Sequence, residues 1–551
     1  IIGVCPKDET MGKSRQRKNG NTRHPLTTLD RQIVSALVTL AILFTLVTIT
    51  SIAKLPSLLK PEQEDHFPGS STSKGPPSIP IPKAIPKANV HSGKAKVKAD
   101  PVGIRRLQQT FPVHVGDDME EIDHPGFLFA NNPTHVKTKV PAFWNPPEYG
   151  SDGVRGFLGN WGERLMTPEE AEQVGSFYKK MPTIYVSIAS YRDPECVPTV
   201  EDVFLRAKHP ERVRLAVIDQ VKDGDPKCST PATPCAEDPD QALCRYRHMI
   251  DFFEVDGSLS VGPVYARHLA HRMYRGEYFA MQVDSHVRMT EHWDDSAIEQ
   301  WESGKNEMAV IAAYPSDLIG SIDPETHKSN HPGRPIMCMS DFEGYGAKKH
   351  LRHGQQPEGV PTVHGLMFEP YWAAGFSFAR GHFVVQVPYD QFLPMVFQGE
   401  EINIGMRGFT YGYDYYTMEH SVCFHMYAVR ENKAKRKNVK LFWENSNNFN
   451  GVEAKAMKRL NGIIGMVREQ DKNDFYHEDE QKYGLGKLRT PEKFYRTFGI
   501  HLNTQTVEHH LCSFVGKPMK EVLSPALREN RMGLDYSKIT YEFVDPKKGR
   551  P

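Results

Sequence analysis

Short apolar runs alternate with stretches of helical period between residues 183 and 314 of this chain. The pattern predicts strands over 183–189, 213–218, 251–255, 278–283 and 308–314, and helices over 199–208, 263–274 and 293–301. The second of these helices has Pro263 in its first turn, where the missing N–H costs nothing. This alternation predicts an α/β fold with a mainly parallel sheet and helices on both faces.

The longest uncharged run covers residues 33–53, IVSALVTLAILFTLVTITSIA. As a helix it would span roughly 31 Å, about the thickness of a bilayer's hydrocarbon core. A cleaved signal peptide is the alternative, since Ser51-x-Ala53 offers a small-residue cleavage site. The run is long for a signal peptide, however, and an uncleaved transmembrane anchor is the favoured interpretation.

The charges that flank this run predict its orientation. After the run, the following segment carries only Lys54 and Lys60. Before the run there are six basic residues, Lys13, Arg15, Arg17, Lys18, Arg23 and Arg31. Positive flanks stay on the cytosolic side, so a single-pass type II membrane protein with a large luminal part is expected. The segment 54–110 is rich in Pro, Ser, Lys and Gly and is expected to be an extended stem.

The chain therefore divides into six expected parts. They are a cytosolic tail (1–32), the anchor (33–53), the stem (54–110), an irregular N-terminal subdomain (111–180), a catalytic domain (181–445) and a C-terminal extension (446–551). Many resident Golgi enzymes share this order of parts, so a Golgi membrane location is expected by analogy. Lys plus Arg and Asp plus Glu both number 68, and this balance gives no reason to expect a nucleic acid partner.

Four of the eight cysteines fall close together, at Cys196, Cys228, Cys235 and Cys244. Their spacing lacks the short Cys-x2–4-Cys knuckle that is usual in zinc sites. Disulfides are expected if this part of the chain is luminal. Three pairings of the four are possible, and free buried thiols remain an alternative.

The most informative local pattern is the Asp-x-His that ends the apolar run 278–283. Side chains two residues apart in a strand share a face, so Asp284 and His286 are expected side by side at the carboxyl edge of the sheet. Ligands of open α/β sheets bind at such edges, and carboxylate plus imidazole suits Mn²⁺ or another divalent cation. The alternative is a turn aspartate beside a surface histidine.

Several motifs together resemble the polypeptide and hydroxyproline N-acetylglucosaminyltransferases over roughly residues 181–445. In chain order these are Ile184–Pro194 (IYVSIASYRDP), Gly262-Pro263-x-x-Ala266-Arg267, Gln282-x-Asp284-Ser285-His286, Trp293-Asp294, Gly399-Glu400-Glu401, Arg407-Gly408-x-Thr410-x-Gly412-Tyr413-Asp414 and Phe424-His425-x-Tyr427. The arrangement is also similar to the polypeptide N-acetylgalactosaminyltransferases, which are retaining enzymes of the GT-A fold. The resemblance implies transfer of GlcNAc from UDP-GlcNAc to a protein hydroxyl (Thr, Ser or hydroxyproline) with Mn²⁺, and an α-linked product.

The resemblance also implies roles for particular residues. His425 would be a third metal ligand, and Arg267 would bridge the diphosphate or the sugar hydroxyls. Ser190, Tyr191 and Arg192 would lie at the nucleotide, with the tyrosine ring able to stack on uracil. Gly375, within the small-residue loop 372–378, would let the transferred sugar approach closely. Glu400 or Glu401 would orient the acceptor hydroxyl, with Glu400 preferred.

Each of these residues also has an ordinary structural interpretation, such as a packed histidine at 425 or a helix-terminal acidic pair at 400 and 401. The basic run 433–440 is interpreted as a solvated loop, with contact to the UDP phosphates as the alternative. A catalytically silent sugar-binding or scaffold protein on the same fold is the main competing function. A metal-dependent hydrolase or oxygenase ranks last, since the facial-triad order His-x-Asp is reversed here.

Overall fold

A computed structural model describes residues 111–542 of the 551-residue chain, apart from 160, 347–348, 354–361, 468–472 and 509–510. Its strands are β1 (Met119–Asp123), β2 (Lys137–Pro141), β3 (Phe177–Tyr178), β4 (Met181–Pro182), β5 (Ile184–Tyr191), β6 (Val213–Val221), β7 (Ile250–Asp256), β8 (Phe279–Asp284), β9 (Val287–Met289), β10 (Ala309–Ala312), β11 (Ser340–Glu343), β12 (His350–His353), β13 (Met367–Phe368), β14 (Phe376–Arg380), β15 (Asp414–Thr417), β16 (Cys423–His425), β17 (Ile500–His501) and β18 (Thr506–Val507).

The helices are shorter and scattered along the chain. They are α1 (Pro125–Leu128), α2 (Gly153–Phe157), α3 (Pro168–Gln173), α4 (Cys196–Leu205), α5 (Ala242–Arg245), α6 (Pro263–Arg272), α7 (Trp293–Ser303), α8 (His382–Gln386), α9 (Glu400–Thr410), α10 (Asn432–Arg436), α11 (Val452–Ile463), α12 (Glu480–Tyr483), α13 (Pro491–Thr497), α14 (Leu511–Phe514) and α15 (Lys517–Leu523).

An eight-stranded sheet forms the centre of the described part, in the order β13-β15-β10-β14-β8-β5-β6-β7. Strands β8, β5, β6 and β7 are mutually parallel, and β10 is parallel to β15. Strands β14 and β13 run antiparallel to their neighbours. The predicted α/β class and mainly parallel sheet are confirmed, with these two antiparallel insertions as a feature that the alternation did not indicate.

The predicted elements are present, with shifted ends that have physical causes. Strand β6 continues to Val221, past the expected end at 218. Asp219 and Gln220 are buried but polar, so a hydrophobic pattern does not indicate that the strand continues through them. Helix α4 begins at Cys196 and not at 199. Strand β10 is shorter than 308–314 because the chain leaves the sheet before Pro315.

Residues 111–180 and the C-terminal extension both pack onto the part that carries the sheet. Arg155 of α2 shows this most directly, because its guanidinium donates to the carbonyls of Lys482 (2.9 Å) and Gln386 (3.0 Å) and to the hydroxyl of Tyr411 (2.9 Å). One buried side chain thus joins three segments that are distant in sequence.

Three disulfides connect six of the seven described cysteines, and the seventh, Cys423, is a buried free thiol. The four clustered cysteines pair as Cys196–Cys228 and Cys235–Cys244, which selects one of the three possible pairings. A third bridge joins Cys338 to Cys512, and it ties the long excursion between β10 and β14 to the C-terminal extension. The four clustered cysteines are therefore not a zinc site.

The predicted membrane span at 33–53 lies outside the described residues. Among the residues that are described, no helix combines the length and the apolar character needed to cross a bilayer.

Candidate active site

The predicted Asp-x-His lies where the sequence indicated, at the carboxyl end of a central strand. Asp284 is the last residue of β8, and His286 lies in the tight turn that leads to β9. Strand β9 pairs antiparallel with β16, which sets His425 opposite Val287. Ligand atoms of Asp284, His286 and His425 all lie within 4.8 Å of one another. The fold therefore brings all three predicted metal ligands together.

The protonation states in this cluster suit a cation. Burial alone would raise the pKa of Asp284, but a hydrogen bond from His425 and the positive charge of Arg267 hold that pKa well below its usual value. Burial and the neighbouring His286 lower the pKa of His425 to about 4, so its ring is neutral. The Nδ1 atom of His425 is buried and has no hydrogen-bond partner among the described residues. One carboxylate and two imidazoles with a spare donor atom fit Mn²⁺ or a similar divalent cation.

A further residue, Asp193, fixes the orientation of His286. Its Oδ2 atom lies 2.8 Å from Nδ1 of His286, which leaves Nε2 as the free ligand atom of that ring. Asp193 also accepts from Arg436 at 2.8 and 3.0 Å through its two oxygens. Asp193 belongs to the motif Ile184–Pro194, but no role was predicted for it from the sequence. The pair Asp193-Pro194, soon after the first predicted strand, is the sequence feature that could have indicated a functional residue here.

Arg267 links the Asp-x-His to the acidic pair. From the middle of α6 its guanidinium donates to Oδ1 of Asp284 at 2.7 Å and to Oε1 of Glu400. The hydroxyl of Tyr389 also donates to Glu400, at 2.7 Å, and lies 3.0 Å from Oε1 of Gln282. Arg267 thus touches both carboxylates, while Tyr389 is a further member of this cluster that no sequence motif indicated.

The two adjacent glutamates have different environments. Glu400 is ion-paired with Arg267, whereas Glu401 accepts a hydrogen bond from the hydroxyl of Tyr314. Burial raises the pKa of Glu401 to about 8, against a smaller lowering by Arg267. Glu401 therefore remains largely protonated at neutral pH, whereas Glu400 is the member of the pair that binds Arg267.

The small-residue loop before β14 closes one side of the cluster. A Cβ atom at Gly375 would lie 3.3 Å from Cδ1 of Tyr314 and 3.8 Å from Oδ2 of Asp284. The side-chain amide of Gln282 holds the loop by donating to the carbonyl of Ala374 at 2.7 Å. The predicted sugar loop is thus adjacent to the predicted metal ligand.

The predicted nucleotide residues lie at the carboxyl end of β5, at the same edge of the sheet, with Ser190 and Tyr191 as its last two residues. The hydroxyl of Tyr191 donates to Glu444 at 2.6 Å, and Arg192 binds both Asp225 (2.6 Å) and Glu444 (2.5 Å). Ser190 is fully buried, and its hydroxyl has no hydrogen-bond partner within the described part of the chain. The polar ends of Tyr191 and Arg192 therefore join a carboxylate of a distant segment.

The basic run was interpreted as a solvated loop, and the structure changes this for one residue. Arg436 is only 10% exposed and binds Asp193, so the run reaches the site at that point. Its four lysines, Lys433, Lys435, Lys437 and Lys440, are exposed as expected.

Comparison with known proteins gives the family of this chain. The model of a family described as Glycosyltransferase (GlcNAc) matches residues 183–238 and 229–504. These matches cover more than half of the chain, and the chain belongs to this glycosyltransferase family. No curated protein matches it.

Solved structures give distant likenesses. GalNAc-T7, crystallised with UDP, GalNAc and Mn²⁺, is 13% identical with a TM-score of 0.34, and the match covers 58% of each chain. Residues 1–349 of S. aureus TarS in complex with UDP-GlcNAc are 11% identical with a TM-score of 0.27, covering 53% of this chain and 77% of that one. The chain thus spans little more than half the length of the first of these structures.

Proposed function

We propose that this protein is a metal-dependent, retaining glycosyltransferase of the GT-A type that moves GlcNAc from UDP-GlcNAc to a hydroxyl group of a polypeptide. The observation that carries the proposal is the convergence of Asp284, His286 and His425 within 4.8 Å, with Arg267 joining Asp284 to Glu400 at the same edge of the sheet. Membership of a GlcNAc glycosyltransferase family supports the donor sugar.

The metal would be held by Asp284, His286 and His425, with Asp193 orienting His286. A bound divalent cation offsets the negative charge of a diphosphate and so makes UDP a better leaving group. Arg267 would contribute a fixed positive charge beside it, because its guanidinium is already held by two carboxylates.

The donor would lie along the carboxyl edge of the sheet, with its nucleotide near Ser190, Tyr191 and Arg192. The transferred sugar would lie against the loop at Gly375, where even a Cβ atom would come within 3.1 Å of Pro315. The buried, unpartnered hydroxyl of Ser190 would gain a hydrogen-bond partner from a ligand at this edge.

The acceptor hydroxyl would be oriented by Glu400, the member of the acidic pair that binds Arg267. In the proposed front-face reaction, the bond from C1 of the sugar to the diphosphate oxygen breaks, and a bond from C1 to the acceptor oxygen forms on the same face. The acceptor proton passes to the departing phosphate oxygen. Glu400 then acts as a positioning group for the acceptor, and no covalent glycosyl-enzyme is required.

A luminal location is proposed with the enzyme. The three disulfides support an oxidising compartment, since such bonds persist in the secretory pathway and are rare in the cytosol. The uncharged run 33–53 with its basic flank supports a type II Golgi anchor.

The test is a donor screen with the purified full chain and a mixed library of Thr, Ser and hydroxyproline peptides. UDP-GlcNAc should be the best of the UDP-sugars, and Asp284→Asn should abolish transfer to peptide. Asp295→Asn is a matched control, because Asp295 belongs to an ion-paired cluster with Lys208 and Arg212. Tight binding of UDP-GlcNAc with no transfer and no hydrolysis would contradict the proposed enzymatic activity. It would favour a catalytically silent sugar-binding protein.

A further inference from the structure

The segment that follows His425 contacts the proposed site at three places. Arg436 binds Asp193, which orients His286. Phe442 packs against Gly262 at the start of α6. Glu444 binds Tyr191 and Arg192 at the nucleotide end. Residues 432–445 therefore run along the edge of the sheet where donor and acceptor would meet.

This same segment has an unusual excess of positive charge. Lys433, Lys435, Lys437 and Lys440 are all exposed, and none has an ion pair within the described residues. Lys433 and Lys437 are four residues apart, a spacing at which like charges on a helical turn repel each other. The fold does not compensate these charges, so they are available to an external anionic partner.

One exposed aromatic ring belongs to the segment 432–445, and a second from another part of the chain packs against it. Phe397 and Trp443 are 45% and 40% exposed, and their ring centroids are 6.2 Å apart. Phe397 precedes Gly399, the residue before α9 and Glu400, whereas Trp443 adjoins Glu444. This exposed pair therefore joins the segment that precedes α9 to the segment 432–445.

We propose that these four lysines and two rings form a docking surface for an acidic stretch of the polypeptide acceptor that also carries an apolar residue. This inference rests on the proposed function and names its substrate class. The lysines supply charge complementarity, and the rings supply an apolar contact within reach of the segment that carries Glu400.

Two other anionic partners fit the surface less well. The diphosphate of the donor would lie at the metal ligands, and the basic residue of the run that reaches them, Arg436, is already bound to Asp193. An anionic membrane would contact the lysines without using their position beside the site. A polypeptide uses both features, because its hydroxyl must enter the site while its flanking residues remain outside.

The experiment measures binding and turnover separately, on the full chain. Fluorescence anisotropy compares labelled Thr peptides with Asp/Glu, Gln or Lys flanks, each with and without a Phe or Val beside the Thr. The wild type should prefer the acidic, apolar peptides, and high salt should weaken the preference. The triple variant Lys433→Gln, Lys435→Gln, Lys437→Gln should weaken binding of acidic peptides by roughly tenfold, since each exposed pair contributes little alone.

The matched control removes three exposed lysines from the opposite edge of the sheet. Lys179 and Lys180 form the turn between β3 and β4, close before β5, and Lys305 precedes β10. Lys179→Gln, Lys180→Gln, Lys305→Gln should leave peptide binding unchanged. The triple variant at Lys433, Lys435 and Lys437 should also keep the wild-type KM for UDP-GlcNAc in donor hydrolysis. It should resist denaturant at least as well as the wild type.

Four results would overturn the proposal. The first is a wild type that shows no preference for acidic peptides, and the second is an equal loss of peptide binding in the two triple variants. The third is a raised KM for UDP-GlcNAc in the triple variant at Lys433, Lys435 and Lys437. The fourth is that this variant loses binding only to phosphatidylserine vesicles and keeps binding to acidic peptides. Loss of the proposed function is a different outcome. The protein could bind acidic peptides through these lysines and yet turn over no UDP-sugar. That result would support the docking surface and contradict the proposed transferase activity.

Discussion

Asp193 and His286 form a 2.8 Å hydrogen bond across the carboxyl ends of two adjacent parallel strands. Burial alone would raise the pKa of Asp193, but the contacts with His286 and Arg436 lower it to about 2. The carboxylate is therefore charged at neutral pH and keeps the proton of His286 on Nδ1. A histidine held in this way presents Nε2 as a ligand atom of defined orientation.

Asp193→Asn should weaken metal affinity by about 10- to 100-fold, the usual effect of removing a carboxylate that supports a histidine ligand. Isothermal titration of Mn²⁺ into the protein with UDP present measures the change. Turnover should recover at high Mn²⁺, because the ligands themselves remain. A variant with normal Mn²⁺ affinity would show that Asp193 has only a structural role, and Asp295→Asn is the control for loss of a surface carboxylate.

A chelator should abolish activity, and Mn²⁺ should restore it best among divalent cations. Asp284→Ala should remove most turnover, by a factor of about 1,000 or more, since the carboxylate is both a proposed ligand and a partner of Arg267. The side chain is 22% exposed and carries little packing, so thermal unfolding should change by a few degrees at most. Full activity of Asp284→Ala, or activity that survives chelation, would rule out this metal site.

The product should be an α-linked glycoside, because the proposed reaction proceeds with retention. Glu400→Gln should lower kcat without trapping a glycosyl-enzyme, since the glutamate only positions the acceptor. The anomeric proton coupling of the new glycoside, measured by NMR, decides between the two outcomes. A large, β-type coupling would mean inversion and would contradict the mechanism, and intact-mass spectrometry checks that no sugar is bound covalently.

Glu401 should make the protein less stable as the pH rises. Burial raises its folded-state pKa from 4.5 to about 8, so between these values the folded chain binds more protons than the unfolded chain. The free energy of unfolding should therefore fall from pH 5 to pH 8 because of this group, by a few kcal/mol at most. Urea unfolding in the presence of a chelator measures this slope.

Glu401→Gln is the matched variant for this slope, because the amide is neutral at every pH. Its stability should vary less with pH than that of the wild type over the same interval. Identical slopes in the two proteins would mean that Glu401 ionises normally in the folded state.

Sealed vesicles should protect everything beyond about residue 60 from added protease. The expectation follows from the uncharged run 33–53 and the basic residues before it. Immunoblotting with an antibody against the C-terminal extension detects the protected fragment, and detergent should expose it. Digestion of that extension in intact vesicles would contradict the type II orientation.

Local patterns in the sequence were sufficient for five strands of the central sheet and for the first part of the site. The run that ends in Asp284 predicted a strand end with two ligand side chains, because strand periodicity alone puts residues 284 and 286 on one face. The motif at Phe424-His425 predicted a third ligand, and the structure brings His425 to within 3.3 Å of Asp284. The position of Asp284 was predictable because it depends on neighbours in the chain, whereas His425, which is distant in sequence, was predicted from the resemblance to a known family.

Other parts of the site depend on residues more than ninety positions apart. The bond from Asp193 to His286, the contact of Arg436 with Asp193 and that of Glu444 with Arg192 all cross between segments that no local pattern relates. Tyr389 was missed for a different reason: its partner Glu400 is near in sequence, but a single tyrosine after a proline carries no signal of that contact.

The sequence by itself determined the class of fold, the order of its elements and the chemistry available at the end of β8. Only the tertiary structure decided which cysteines pair, which of two adjacent glutamates is ion-paired, and which basic residue of the run 433–440 reaches the site. The physical reason is that periodicity and turn preferences act over a few residues. Ion pairs and pKa shifts are set by which strand ends meet in space, and that depends on the pairing order of the whole sheet.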